Sequence, residues 1–325
     1  MITLTAIREA WGRVSPHVNS TCLLPAPWLE EVTGRPVFLK PENLQITGSF
    51  KVRGAANLLI STNSRLMRGG VITASSGNHG LGIAYMGARL GIPVTVVIPE
   101  SCASVKRNLL DKWGARSIVY GRSSKERRQY ARTLAETEDI LFVHSHDDPL
   151  VIAGQGTIGL EILAELPEVG AVLIPVGGGG LIAGIATAIK EINPNVLVYG
   201  VEPEIGCCMK QSLDKGEIVE LLETPSTIAD GLRGTRPGEI PFSVVKNHVD
   251  GILTVSEEAI EEAVRRLHRD SKLVVEPSGA VVVAALMEQR LPKEATVGPV
   301  CTVLSGGNMD NDVLIRILEK SKGES

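Results

Sequence analysis

The sequence predicts an α/β fold with parallel sheets, on the basis of two observations. Short runs rich in β-branched residues alternate with helical patterns along most of the chain. Several of these runs, such as 171–176, are continuously apolar, which is typical of parallel strands buried on both faces. A length of 325 residues favours two domains, and we expect close packing because no linker rich in Ser, Pro or charge separates the halves.

The elements follow in order along the first half of the chain. The first 13 residues have a helical pattern, and the prolines within 24–27 (LPAP) are expected to break the chain. After the strand at 37–40, a helix is predicted with Lys51 in its first turn. The predicted strands lie at 37–40, 71–74, 93–98, 117–120 and 140–143, and the predicted helices at 78–90, 103–113, 124–137 and 148–166.

The second half repeats this alternation. Segment 224–247 is the longest stretch with weak periodicity, and such segments often form active-site walls in enzymes. The predicted strands lie at 171–176, 196–201, 252–255 and 300–304, and the predicted helices at 181–192, 207–213, 257–270, 279–290 and 310–320.

Composition excludes several classes of function. Aromatic residues are only 3% of the chain and the net charge is −4, so neither a stacking platform nor a basic patch for nucleic acid is expected. No apolar run approaches membrane-spanning length, and the N-terminus lacks a secretory pattern. Five cysteines without metal-type spacing favour a reduced, cytoplasmic compartment.

Lys51 lies in the segment TGSFKVRG at 47–54. Gly48 and Ser49 predict a turn and a helix N-cap, which places Lys51 in the first helical turn. A cation is disfavoured there, and the positive helix end lowers the pKa of an amine, which makes it a better nucleophile. A solvated surface lysine is the alternative interpretation.

The strongest local signal is the glycine run in PVGGGGLIAG at 175–184. A buried strand leads into four glycines and then a helix. Bare backbone at a helix N-terminus binds phosphate, although a tight strand–helix connection is the alternative. The pattern is neither a Walker A loop, since no Gly-Lys-Ser/Thr follows, nor a clear dinucleotide fingerprint.

Two further loops follow predicted strands. The segment SSGNHG at 75–80 offers hydroxyl and amide groups at a helix start, which suits a substrate carboxylate, although an ordinary N-cap is equally consistent. Ser305 follows the last strand, where open α/β sheets bind ligands. Together with Lys51 and the glycine run, these loops point to pyridoxal phosphate, a phosphorylated cofactor held through a Schiff base.

The chain resembles the serine/threonine dehydratase and serine racemase family of fold-type II pyridoxal-phosphate enzymes, whose fold is similar to the tryptophan synthase β chain. The matching segments occur in family order over nearly the whole chain. They are KPENLQITGSFKVRGA at 40–55, SSGNHG at 75–80, GQGT at 154–157, PVGGGGLIAG at 175–184, TIADG at 227–231, EPSG at 276–279 and SGGN at 305–308.

The resemblance implies a role for each matching position. Lys51 would hold the cofactor and then act as a base at Cα, Phe50 would pack on the ring, Asn78 would bond the ring hydroxyl, and Ser305 would donate to the ring nitrogen. The other implied cofactor-binding residues are Gly177, Gly178, Gly179, Gly180, Leu181, Gly231 and Glu276. The implied substrate-binding residues are Ser75, Ser76, Asn78, His79, Arg127 and His146.

The implied activity is that of a carbon–nitrogen lyase. A hydroxyl partner such as Ser305 leaves the ring nitrogen unprotonated, which favours loss of a β-leaving group. Dehydration of L-threonine or L-serine to a 2-oxo acid and ammonia is therefore expected. Racemase activity remains an alternative, since Ser76 would supply a second proton site opposite Lys51. A cofactor carrier without turnover is the non-enzymatic alternative.

Two places depart from the family pattern. The divalent-cation site would fall on Glu202, Gly206 and Cys208, and because Mg²⁺ and Ca²⁺ prefer oxygen ligands we predict no metal there. His146 and Arg233–Arg236 stand in segments that line the substrate pocket in relatives. Extra basic groups would favour an acidic or larger substrate, such as a 3-hydroxyaspartate, a phenylserine or a hydroxyectoine breakdown product, unless these residues are surface charges.

The resemblance also implies how the chain is divided. Residues 1–69 and 148–325 would form a large cofactor-binding domain, and 70–147 a small inserted domain. The active site would lie in the cleft between them, with closure of the small domain binding the substrate carboxylate. A homodimer is expected from the family.

Overall fold

Two sheets organise the chain in this computed structural model, which describes residues 2–62, 69–75, 77–100, 102, 104–121, 123–293 and 297–320. The strands are β1 Leu24–Pro25, β2 Val37–Lys40, β3 Val71–Ala74, β4 Val94–Ile98, β5 Arg116–Val119, β6 Leu141–Phe142, β7 Ala171–Pro175, β8 Leu197–Pro203, β9 Gly251–Val255 and β10 Val300–Val303.

Helices cover both sheets, as expected when parallel strands need crossover connections. They are α1 Leu4–Val14, α2 Pro27–Thr33, α3 Lys51–Ser61, α4 Asn78–Leu90, α5 Ser104–Lys112, α6 Ser124–Glu138, α7 Pro149–Glu165, α8 Gly180–Ile192, α9 Cys208–Lys215, α10 Glu239–His248, α11 Glu257–Ser271, α12 Pro277–Met287 and α13 Asn311–Glu319. No helix in the described ranges is long and apolar enough to cross a membrane.

The larger sheet has the strand order β1-β2-β10-β7-β8-β9. All its pairings are parallel except that of β1 with β2. Strand β10, from the end of the chain, lies between β2 and β7, with Val303 opposite Lys40 and Thr302 opposite Leu173. The segments that follow β2, β10 and β7 therefore emerge at one edge, where open α/β sheets bind ligands.

The smaller sheet has the order β5-β4-β3-β6 and is entirely parallel. All of its strands come between β2 and β7 in the chain. The predicted α/β fold with two parallel-sheet domains is therefore confirmed. The segment after β3 carries Asn78 as the first residue of α4, as the helical pattern at 78–90 predicts.

Of two expectations about irregular segments, one is wrong and the other agrees with the structure over most of its length. The prolines within 24–27 do not simply break the chain: β1 forms there, and Pro27 begins α2, because proline is tolerated at the first helical position. A two-residue strand is too short to produce a pattern. The first half of segment 224–247 lines a cleft, as expected, at positions such as Ser226 and Arg233. Its second half is not irregular, because it contains most of α10, whose apolar residues Pro241, Val244 and Val245 are buried.

Candidate active site

Lys51 lines a cleft of about 910 Å³ whose walls come from both sheets. Its Nζ donates a 3.1 Å hydrogen bond to the Ser145 carbonyl oxygen and lies 4.8 Å from the centre of the Phe50 ring. Burial lowers the pKa of Lys51 to about 8, with Glu276 acting in the opposite direction. The amine is therefore neutral more often than that of a solvated lysine, and burial is the leading cause.

The start of α3 differs from the sequence interpretation. The helix begins at Lys51, and its N-cap residue is Phe50, without a side-chain cap, so the prediction of Ser49 as N-cap is wrong. Ser49 instead forms a bridge with Gly306. Gly48 makes the predicted turn, with a φ of 71° and its N–H donating to the Gln45 carbonyl at 2.7 Å. Long-range backbone pairing therefore fixes the position of Lys51.

A buried ionic network anchors α3 two residues beyond Lys51. The Arg53 guanidinium is fully buried and donates to both carboxylate oxygens of Glu42, at 2.8 Å each, and of Glu161, at 2.7 and 2.9 Å. Lys40 Nζ lies 2.6 Å from Glu161 as well. Buried charges need such pairing, because an unpaired one is very costly. The network joins β2, α3 and α7 and fixes the first turn of α3, which contains Lys51.

Close backbone contact between α3 and α7 adds to this anchoring. A Cβ on Gly154 would lie 2.6 Å from the Arg53 carbonyl oxygen and 2.7 Å from the Cα of Gly54. Only glycine permits this approach. The GQGT segment of α7 thus packs directly against α3, and the Gln155 side chain accepts a hydrogen bond from the Gly54 N–H at 3.2 Å.

Asn78 joins the two sides of the cleft. Its Nδ2 donates to Glu276 Oε1 at 2.6 Å, and its Oδ1 accepts from Asn308 Nδ2 at 2.9 Å. Burial raises the pKa of Glu276 to about 7, with Lys106 as the main opposing influence. Glu276 Oε2 is buried without a hydrogen-bond partner among the described residues. A Cβ on Gly306 would lie 2.5 Å from Glu276 Oε1, so the SGGN loop needs glycine here.

The other residues of the asparagine loop surround the start of α4. Ser75 Oγ accepts from the N–H groups of Gly77 at 3.2 Å and Gly80 at 3.0 Å. His79 is 3% exposed, and in the part of the chain that the structure describes neither of its buried ring nitrogens has a hydrogen-bond partner. Burial lowers the pKa of His79 well below its ordinary value, and nearby Lys51 adds to this. Ser76 lies outside the described residues.

The glycine run forms a concave turn between β7 and α8. Gly179 has a φ of 92°, and Gly180 begins the helix. A Cβ on Gly178 would lie 2.4 Å from the His146 ring, and one on Gly180 would lie 2.7 Å from the His146 carbonyl oxygen. Leu181 is buried below the turn. The first N–H groups of a helix lack intrahelical partners, so they are available to an anion.

Ser305 and Gly231 complete the set of predicted cofactor positions in the cleft. Ser305 follows β10, is 5% exposed, and its carbonyl accepts from the Phe50 N–H at 3.1 Å. Gly231 donates its N–H to Ser278 Oγ at 2.8 Å. The lysine, the glycine turn, the asparagine loop and the terminal serine, far apart in the sequence, therefore share one cleft.

The basic residues predicted for the substrate pocket are either held by hydrogen bonds within the protein or neutral. Arg127 lines the cleft, but its guanidinium donates to the Gly121 carbonyl at 3.3 Å and to Ser124 Oγ at 3.1 Å. His146 and His144 have pKa values lowered by burial, that of His144 to about 4. Both imidazoles are neutral near pH 7, which weakens the expectation of a basic pocket.

The sequence interpretation missed an ion pair across the cleft. Lys106 on α5 is 4% exposed, and its Nζ lies 3.0 Å from Asp230 Oδ2. Burial lowers the pKa of Lys106, but Glu276 and Asp230 outweigh it, so the pKa lies above its ordinary value. No local pattern could have indicated this pair, because Lys106 follows an ordinary helical spacing and Asp230 lies 124 positions away.

At the position of the family's cation site, the carboxyl group of Glu202 accepts hydrogen bonds from backbone N–H groups. Its two oxygens accept from the N–H groups of Met209 at 3.0 Å and Lys210 at 2.9 Å, at the start of α9. Burial raises the pKa of Glu202 to about 8 and that of the buried Cys208 thiol to about 12. Within the described ranges, no group of three or more His, Cys, Asp or Glu side chains could hold a metal ion.

The fold and the cleft define a class of enzymes that hold a phosphorylated cofactor on a lysine between two α/β domains. The chain belongs to the family of pyridoxal-phosphate dependent enzymes, whose family model matches residues 14–306.

The chain is also similar to individual members. L-threonine ammonia-lyase of Geobacter sulfurreducens is 43% identical over 320 residues, which cover 98% of this chain and 79% of that protein. A solved structure of threonine deaminase from T.th. is 44% identical with a TM-score of 0.88, covering 95% of this chain and 99% of that one. Maize serine racemase is 32% identical with a TM-score of 0.93, covering 99% and 98%.

The residues present fit pyridoxal phosphate. A side chain at Gly178 or Gly180 would collide with His146, so the turn must remain bare backbone, as a phosphate cradle requires. Lys51 supplies an amine with a lowered pKa. Asn78 and Glu276 Oε2, which lacks a partner among the described residues, offer polar atoms in the same cleft.

Proposed function

We propose that this protein is an ammonia-lyase that dehydrates a β-hydroxy amino acid, L-threonine or L-serine, to a 2-oxo acid and ammonia. The observation that carries this proposal is the 43% identity to an L-threonine ammonia-lyase over 98% of the chain. The cleft supports it, because Lys51, Asn78 and Ser305 line it together and would supply the base, the orienting amide and the neutral hydroxyl that this chemistry needs.

The cofactor has a set of proposed ligands. The glycines at 177–180 and Leu181 would hold the phosphate, Phe50 would pack on the ring, and Asn78, held by Glu276, would bond the ring hydroxyl. Gly231 would line the ring edge through its contact with Ser278. When bound, pyridoxal phosphate supplies an electron sink that stabilises negative charge at Cα of the amino acid.

Lys51 is the proposed catalytic base. It would take the proton from Cα, and burial favours its neutral form. Ser305 would offer only a neutral hydroxyl to the ring nitrogen, and such a partner would favour loss of the β-hydroxyl group over a long-lived carbanion. Loss of water leaves an enamine, and hydrolysis of the enamine releases the 2-oxo acid and ammonia.

The substrate carboxylate would bind at the start of α4, where helix N–H groups favour an anion. Ser75, Ser76, Asn78 and His79 are the proposed contacts. Arg127 would reach the substrate only after leaving its hydrogen bonds to Gly121 and Ser124. The assignments of Ser75, Asn78, His79 and Arg127 follow from their positions in the cleft and in the sequence, and that of Ser76 from the sequence alone.

A substrate screen tests this proposal. The cofactor-loaded protein is incubated with L-threonine, L-serine and their D-enantiomers, together with 3-hydroxyaspartate, phenylserine and a hydroxyectoine breakdown product. We expect the most rapid 2-oxo acid release from L-threonine or L-serine. Absence of release from every compound, with the cofactor bound, would instead support a carrier.

A racemase is the second candidate, supported by Ser76 in the sequence and by the similarity to maize serine racemase. Ser76 would return a proton to the face opposite Lys51. Ser76→Ala should then abolish D-serine formation from L-serine. At saturating L-serine it should leave the rate of 2-oxo acid release within about threefold, because loss of one carboxylate contact mainly raises KM. If wild-type protein forms no D-serine, this candidate is eliminated.

The division of the chain and its assembly are also proposed. We infer that residues 70–147 form a small domain that closes on the large domain of 1–69 and 148–325 when the substrate carboxylate binds. We also infer a cytoplasmic homodimer. All five cysteines are among the described residues and none is in a disulfide, which suits a reducing compartment. Light scattering of the purified protein measures the assembly.

A further inference from the structure

The imidazole of His146 lies directly on the glycine turn. A Cβ on Gly178 would be 2.4 Å from Cδ2 and Nε2 and 2.5 Å from Cε1 of the ring. The backbone of His146 is similarly close to Gly180. This side chain therefore forms one wall of the phosphate cradle. The sequence, in contrast, indicated that it belongs to the substrate pocket.

The two ring nitrogens of His146 have different surroundings. Nδ1 is 3.0 Å from Ser145 Oγ. The carbonyl oxygen of Ser145 also accepts the hydrogen bond from Lys51 Nζ. Nε2 has no hydrogen-bond partner among the residues that the structure describes, and His146 lines the cleft. One nitrogen is thus oriented by the protein and the other is available to a ligand.

The titratable groups with the largest effect on His146 are cationic or neutral. Lys51 comes from α3, His79 from α4, Arg128 from α6 and His144 from its own segment, and the cradle contributes only glycines. The nearest carboxylate in sequence, Asp147, is engaged by the N–H groups of Glu239 and Ile240 at 3.0 Å each. With burial, these neighbours lower the pKa of His146 well below its ordinary value.

A phosphate dianion in the cradle would reverse this balance. An opposite charge within about 4–6 Å favours the protonated form of an imidazole. A charge-assisted hydrogen bond from an imidazolium to phosphate is also stronger than a neutral one.

We propose that His146 is a proton-linked ligand of the cofactor phosphate, taking up a proton as the phosphate binds and donating Nε2–H to it. This inference rests on the cofactor of the proposed function. It adds a side-chain ligand to a cradle of backbone N–H groups, and it makes cofactor affinity depend on pH. The proton uptake itself forms and breaks no bond between heavy atoms, and its proton comes from solvent and returns to solvent when the phosphate leaves. Attachment of the cofactor to Lys51, with loss of water, is a separate step that is common to wild type and variant.

Calorimetry tests the proposal without any turnover. Cofactor-free protein is titrated with pyridoxal 5′-phosphate at pH 7 in buffers of different ionisation enthalpy, which gives the number of protons exchanged. His146→Asn keeps a neutral hydrogen-bond donor but cannot gain a proton. Protons released from Lys51 or from the phosphate itself are common to both proteins, so they cancel in the difference.

We expect wild-type protein to take up several tenths of a proton more per site than His146→Asn. Its affinity for pyridoxal 5′-phosphate, relative to the variant, should fall about tenfold between pH 6 and pH 8, as expected for loss of one charge-assisted hydrogen bond. His248→Asn, on α10 and outside the cleft lining, is the matched control and should behave as wild type.

A second measurement needs no variant. Wild-type protein is titrated with pyridoxal, which lacks the phosphate, and the proton count is compared with that for pyridoxal 5′-phosphate. Only the phosphorylated compound should produce the additional uptake. Equal uptake in wild type and His146→Asn, equal uptake with both compounds, or uptake seen only when an amino-acid carboxylate is added would each overturn the proposal. Failure of the substrate screen would leave these binding results unaffected.

Discussion

Asn78 and Glu276 meet at 2.6 Å, side chain to side chain, although 198 positions separate them in the chain. Asn78 begins α4, which follows a strand of the smaller sheet, and Glu276 precedes α12 against the larger sheet. The side-chain amide of Asn308 donates to the oxygen of the same Asn78 amide at 2.9 Å. The amide therefore has one donor and one acceptor fixed, which orients it towards the cleft.

Glu276 should make stability depend on pH. Burial raises its pKa from 4.5 to about 7, so between these values the folded protein binds a proton that the unfolded chain does not. The free energy of unfolding then falls as pH rises, by roughly 3 kcal/mol from this group. Glu276→Gln should remove this slope in urea unfolding measured between about pH 4.5 and pH 7.5.

Glu204→Gln is the matched control for that experiment, because Glu204 is exposed and pairs at the surface with Arg290. It should keep the wild-type slope. Identical slopes in Glu276→Gln and wild type would show that Glu276 titrates normally in the folded protein.

Lys51→Ala should abolish the visible absorbance of the attached cofactor and reduce 2-oxo acid release by at least about 10³-fold, since the variant lacks both the attachment point and the base. In wild type, the rate of cofactor attachment should rise with pH through about 8, because only the neutral amine is nucleophilic. Stopped-flow absorbance measures this rate. A variant with an unchanged spectrum would refute the assignment of Lys51.

Arg53→Met should destabilise the protein by about 3–5 kcal/mol, because it leaves the buried carboxylates of Glu42 and Glu161 without their main partner. Urea unfolding at pH 7 measures the change. Arg290→Met removes an exposed arginine with two surface partners and should cost less than about 1 kcal/mol. A similar loss in both variants would contradict the buried network.

Divalent cations should have little effect on turnover. The carboxylate of Glu202 is engaged by the N–H groups of Met209 and Lys210, and Cys208 stands where an oxygen ligand would be needed. We expect 2-oxo acid release with EDTA, Mg²⁺ or Ca²⁺ to agree within about twofold. Stimulation of about tenfold or more by Mg²⁺ would show that a cation site exists despite Cys208.

Sequence patterns predicted the regular elements well where side-chain periodicity is strong. The boundaries of α4, β2 and β3 follow directly from the apolar runs and from Gly91 after α4, because strands and helices impose periods of two and 3.6 residues on burial. Patterns failed for β1, which is too short, and for α10, whose helical period is hidden in a segment that contains several prolines.

By itself, the sequence determined the class of fold, the lysine and the glycine turn, because these depend on local periodicity and on residues whose backbone chemistry is unusual. Only the tertiary structure decided which side chains meet across the cleft. The pairs Asn78–Glu276 and Lys106–Asp230 and the contact of His146 with Gly178 join distant segments. Their charges also depend on burial, which lowers the pKa of Lys51 and raises that of Glu276, and burial arises only when the chain is folded.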